Sequence, residues 1–207
     1  MNTTVLRRPA IDSAAAARAL DTGLWVFIGV ASTLFALFLT AYVMRMDGAD
    51  WSTIALPRQL WLSSALLLAG SALLQRAGTA ARAARWPLAR MLLTAGGACA
   101  MAFIGVQLWA WQSLLAARVM LAGNPAASFF YVLTALHGLH VLGGLVAWAA
   151  TLSSLPSASA PSDPARVAWR VALCARYWHF LLAVWAVLFV TLGWLTPDVV
   201  RFICGRG

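Results

Sequence analysis

Apolar residues arrive along this chain in runs about 20 residues long, separated by short polar segments. The runs cover residues 23–44, 59–76, 88–115, 128–152 and 171–195. A transmembrane α-helix needs about 20 apolar residues, so each run is long enough to span a bilayer. None alternates as a strand of a membrane barrel would. The second run is the shortest, with the apolar core QLWLSSALLLAGSALL and an extension into Gln75 and Arg76. Turn and breaker residues punctuate the pattern: Pro57 before the second run, Asn124-Pro125 before the fourth, the Ser/Pro-rich SSLPSASAPSDPAR before the fifth, Thr196-Pro197-Asp198 after it. The expected fold is an all-α integral membrane protein, a five-transmembrane-helix bundle. Residues 1–20 are expected as a tail, 21–196 as one transmembrane domain and 197–207 as a second tail. No internal repeat supports an inverted-repeat transporter. The first 20 residues are polar and Ala-rich and do not read as a cleavable signal.

Composition sharpens this picture. Of 207 residues, 62% are hydrophobic and only 10% are charged. A soluble domain carries about a quarter of charged residues. All 15 basic residues are Arg and all six acids are Asp, for a net charge of +9. The arginines are spread over tails and loops, so they are no nucleic-acid footprint, and no nucleic-acid partner is expected. They orient the helices instead. Arg7, Arg8, Arg18, Arg76, Arg82, Arg85, Arg90, Arg166, Arg170 and Arg176 fall on one side. Arg45, Arg58, Arg118, Arg201 and Arg206 fall on the other, beside Asp47, Asp50 and Asp198. The positive-inside rule then puts the N-terminus in the cytoplasm and the C-terminus outside.

Several chemistries are excluded. Without Glu there is no HExxH zinc site. No acid lies mid-span, Asp21 sitting at the mouth of the first helix, so the usual carboxylate of a proton-coupled carrier is missing. Gly-rich phosphate loops and GxSxG are absent, and Cys99, Cys174 and Cys204 form no CxxC. What remains is histidine. The uncharged stretch TALHGLHVLGGLVAW, residues 134–148, holds His137 and His140 one turn apart, and His179 lies in the fifth run. Imidazoles are costly in hydrocarbon and ask for a reason. At 1.5 Å per residue His140 and His179 reach similar depths from opposite faces, roughly 18 and 12 Å in, so they can face each other. Two readings follow: a bis-imidazole haem or copper site, with Gly138, Gly143 and Gly144 making room, or hydrogen bonds across helices to partners such as Thr134 and Tyr177. Among the 11 tryptophans, Trp51, Trp86, Trp169 and Trp194 suit interfacial belts. Trp25, Trp109, Trp111 and Trp185 contact lipid, a neighbouring subunit or their own bundle. AGGACA (95–100) and Gly143-Gly144 are expected to be helix contacts.

The pattern FFYVLTALHGLHVLGGL (129–145), followed by RYWHFLLAVWAVLFVTLGWL (176–195), resembles subunit III of the haem–copper oxidases. The matches are Phe129, Thr134, His137, Gly138, His140, Val141 and Gly144, then Tyr177, Trp178, His179, Phe180 and Trp185. The stretches 23–45 and 56–74 look like two earlier spans of that family, so the resemblance runs in order along nearly the whole chain. It implies a five-helix form of subunit III in a bacterial inner membrane, multi-pass, with a periplasmic C-terminus. Such a subunit is not catalytic. It binds no cofactor or metal of its own, because haem and copper belong to partner subunits I and II. It packs beside subunit I in a hetero-oligomeric membrane complex, binds phospholipids and supports proton uptake. The resemblance makes His137, His140, Tyr177, Trp178 and His179 residues that tie helices 4 and 5 together. Trp25, Arg58, Trp61, Arg176 and Trp185 are candidate lipid or subunit contacts. The sequence departs from the family at Ala31, where seven-helix members often carry a Glu, so no role of that acid transfers. The short form also resembles a subunit-III-like protein of nitric oxide reductase. Cytochrome c oxidase, quinol oxidase and nitric oxide reductase association all stay open, as does a stand-alone haem protein.

Overall fold

The computed structural model describes residues 8–119, 124–155 and 161–203. It contains α1 (Arg8–Arg45), α2 (Gln59–Arg82), α3 (Trp86–Ala116), α4 (Pro125–Ser154), α5 (Pro164–Trp194) and a short α6 (Pro197–Ile203). No strand occurs among the described residues. Helices α1 to α5 are each long and apolar enough to cross a membrane. The chain is an all-α, multi-pass membrane bundle.

The helices outrun the apolar segments that announced them, for local reasons. α1 begins at Arg8, within the stretch expected as a tail, because DSAAAARAL is rich in the strongest helix former. α5 begins at Pro164, within the stretch read as a flexible loop. Pro164 occupies the first turn, where a missing N–H costs nothing, and Asp163 caps it by accepting from the Arg166 N–H at 3.0 Å. Residues 156–160 of that loop lie outside the described residues. The turn read at Asn124-Pro125 does more than turn the chain. Asn124 Oδ1 accepts from the Ala126 N–H and caps α4, while its Nδ2 donates to the Ser52 carbonyl at 2.6 Å. One side chain thereby joins the loop after α1 to the start of α4.

Helices α2, α3, α4 and α5 form a closed ring, each packing on the next, and α2 with α3 make the most extensive contact. Lipid tails are as apolar as leucine, so close approach over small residues drives such packing. A Cβ on Gly96 would meet Leu74 at 2.8 Å and the Gly70 carbonyl at 3.3 Å. On Gly97 it would run into the Trp148 indole, which seats α4 on α3 by donating to the Leu93 carbonyl at 2.8 Å. The AGGACA segment is therefore a helix contact, as expected. α1 stands outside the ring against α4 and α5. Only 11% of its most apolar window is buried, against 33% to 39% in the other four.

Candidate functional site

The α4 and α5 motifs meet in the middle of the bundle. His137 is fully buried, and its ring is surrounded by Phe35 (6.4 Å between centroids), Phe103 (5.6 Å) and Trp185 (5.3 Å). Neither of its ring nitrogens has a hydrogen-bond partner. His140 looks toward α1, against Phe27 and Phe35, with Nδ1 2.7 Å from the Leu136 carbonyl of its own helix. The Tyr177 hydroxyl donates to the His140 carbonyl at 2.9 Å and its ring fills the space beside Gly144, so this pair does join α4 to α5. Trp178 is buried in the core beside it.

His179 departs from expectation. Its Nδ1 bonds the Ser71 hydroxyl and its Nε2 lies 3.0 Å from Gln75 Oε1, both on α2. It ties α5 to α2, not to α4, and does not face His140. The cause is helical geometry. Two residues turn a helix by about 200°, so with Tyr177 facing α4, His179 must face the opposite side. Depth alone could not show this. Among the described residues, no three of His, Cys, Asp or Glu converge as a metal site would need.

The candidate contact residues divide. Trp25 and Trp61 are exposed, at 55% and 62%. Trp61 packs edge-on against Phe189 and Trp194, giving an aromatic cluster on the bundle surface. Arg58 lines a shallow recess with Gln59, Leu62 and Trp109. Arg176 reaches across to α1, pairing with Asp21 at 2.7 Å and lying 5.7 Å over the Trp25 ring. That exposed pair contributes modestly, at about 1 kcal/mol or less, but it is the polar clasp of the loosest helix. Trp185 is not a surface contact. It is 2% exposed, packs on His137 and Phe103, and donates to Ser64 Oγ on α2 at 2.8 Å.

A groove of about 600 Å³ opens between α1, α4 and α5. Leu24, Phe27, Gly143 and Ala147 make its apolar walls, and Trp169 and Arg170 stand among its lining residues. The three ion pairs of the described residues use Arg45, Arg176 and Arg201, leaving Arg170 outside them. Sequence reasoning did not single out Arg170, Ser71, Gln75 or Gln107. The polar interruptions of apolar runs by Gln75 and Gln107 were the available signal.

Cytochrome c oxidase subunit 3 of Synechocystis sp. is 30% identical over 174 residues, covering 81% of this chain and 72% of the relative. A probable cytochrome c oxidase subunit 3 of Mycobacterium leprae is 27% identical over 195 residues, 90% of this chain and 89% of that one. A probable cytochrome c oxidase subunit 3 of Nocardia farcinica is 31% identical over 90 residues. In that match the chain spans 43% of the relative's length. No protein-family model matches the chain.

Proposed function

The chain belongs to the cytochrome c oxidase subunit 3 family, and from that premise we propose that it is the non-catalytic subunit III of a respiratory haem–copper terminal oxidase. The observation that carries the reading is the match to a protein of that name over 81% of the chain. Haem and copper then reside in subunits I and II. This chain supports turnover and proton uptake indirectly, by stabilising subunit I and by holding lipid. Ala31, buried on α1, puts no carboxylate where seven-helix members often have one, so the chain carries no proton there itself. The protein sits in a bacterial inner membrane with its N-terminus cytoplasmic and its C-terminus periplasmic.

The test is extraction from native membranes in mild detergent by a tag on this chain, with an optical spectrum and mass spectrometry of the eluate. Haem–copper subunits I and II should elute with it, and haem absorbance should appear only when they do. A lone coloured chain would reinstate the histidines as haem ligands. Nitric oxide reductase subunits, or a quinol oxidase lacking a cytochrome c site, would move the assignment to those relatives.

The groove between α1, α4 and α5 is the phospholipid site in this reading. Its apolar walls take acyl chain and Arg170 takes the headgroup phosphate, while Trp169 suits the interface. One cation near the membrane surface contributes about 1 kcal/mol toward an anionic lipid. Arg170→Gln is therefore expected to reduce co-purified anionic phospholipid at this site about fivefold, counted by native mass spectrometry. Unchanged lipid stoichiometry would place the lipid elsewhere.

A further inference from the structure

The buried polar groups of the ring core point to a ligand that the oxidase role does not supply. His137 on α4 and Gln107 on α3 are both buried, and all four of their side-chain nitrogen and oxygen atoms lack hydrogen-bond partners. Two contacts on either side of Gln107 place it opposite His137. One turn before it, Phe103 meets the His137 ring edge-on. One turn after it, the Trp111 indole donates to Thr134 Oγ1 at 3.1 Å, and Thr134 precedes His137 by nearly a turn. Phe103, Gln107 and Trp111 advance by about 40° per step around α3, so Gln107 faces α4 as its two neighbours do.

The nearest side chains around His137 leave these atoms unanswered. Phe35, Phe103 and Trp185 wall the imidazole with carbon. The Trp185 N–H is committed to Ser64, and the Thr134 hydroxyl already donates to the Phe130 carbonyl and accepts from Trp111. Native proteins rarely leave buried donors and acceptors unmatched, and within a bilayer no outside solvent can answer them. A small neutral molecule that both donates and accepts fits the set. A carboxamide offers two donors and an acceptor, and a neutral imidazole one of each.

We propose that Gln107 and His137 together hold an ordered water between α3 and α4, at mid-depth in the bundle. The water donates to the bare His137 ring nitrogen and accepts from Gln107 Nε2, reaching at least two of the two to four partners that buried waters have. The aromatic wall isolates it, so it is a structural water joining two helices and not a station on a proton path. This inference does not depend on which oxidase the chain joins.

The test is a high-resolution cryo-EM map of the protein with its native partners. Solvent density is expected within hydrogen-bond distance of both the Gln107 amide and a His137 ring nitrogen, and Gln107→Leu should remove it. A map in which the two side chains touch directly, or in which the space is empty, overturns the proposal. A second measurement covers variants too unstable to image. Gln107→Leu and His137→Phe should each lower the thermal midpoint, because each strands the other group. The double variant should recover most of the loss, since matched apolar replacements strand nothing. Additive losses would overturn the coupling.

Discussion

Trp185→Ala is expected to destabilise the bundle by about 3 kcal/mol, the lower end of the range for removing a buried tryptophan. In water, such a cost has a transfer part and a cavity part. In a bilayer the transfer part shrinks, because lipid is as apolar as the core that lost the ring. The cavity part remains. Trp185 touches His137, Phe103 and Phe189 and bonds Ser64, so its removal opens a void where α2, α3, α4 and α5 meet. Loss of the bond to Ser64 adds about 0.6 kcal/mol, the average measured for hydrogen bonds between membrane helices, whose largest measured value is about 1.7. Trp185→Phe separates the two contributions, since it keeps most of the volume and drops only the bond. Equilibrium unfolding in mixed micelles should show Ala costing at least twice as much as Phe. Equal costs would mean that the bond, not the packing, carries this residue.

The same residue shows what a sequence conceals. Five spans were legible because hydrocarbon thickness dictates run length, and nothing in a single helix can disguise 20 apolar residues. Trp185 fitted a lipid or subunit contact as well as a core, because aromatic residues serve both and a periodicity argument needs a polar face to contrast with. In a membrane helix that contrast is gone: exposed Val187 and Val190 are as apolar as buried Leu188. Direction around the helix is therefore the weakest reading, and His179 failed on it. Its azimuth put it on Ser71 and Gln75 instead of His140. Tyr177 entered as a possible cross-helix hydrogen-bond partner and through the family resemblance; that its ring lies beside Gly144 on α4 is visible only in the structure. The groove was not legible, since it is bounded by three helices distant in sequence and by an arginine assigned only to topology.

Glycines restore some azimuthal information, and the second large effect rests on them. Gly97 and Gly105 lie on the same helix, eight residues apart, and only Gly97 falls in the small-residue segment AGGACA that the sequence marks as a helix contact. The structure separates them in the same way. A Cβ on Gly97 would lie inside the Trp148 indole, whereas one on Gly105 meets nothing within 4 Å. Gly97→Val must therefore displace Trp148, break its bond to the Leu93 carbonyl and push α4 from α3, at a cost of about 2–3 kcal/mol. Gly105→Val should stay within about 0.5 kcal/mol of the parent, as substitutions on an outer face do. If Trp148 is the obstacle, Trp148→Ala added to Gly97→Val should cost less than the two separate losses together, because the valine then occupies space the indole has left. Unfolding midpoints of the four variants decide the matter. A Gly105→Val loss as large as that of Gly97→Val would show that valine harms α3 through its backbone, and the seating of Trp148 on Gly97 would then have no part in holding α3 to α4.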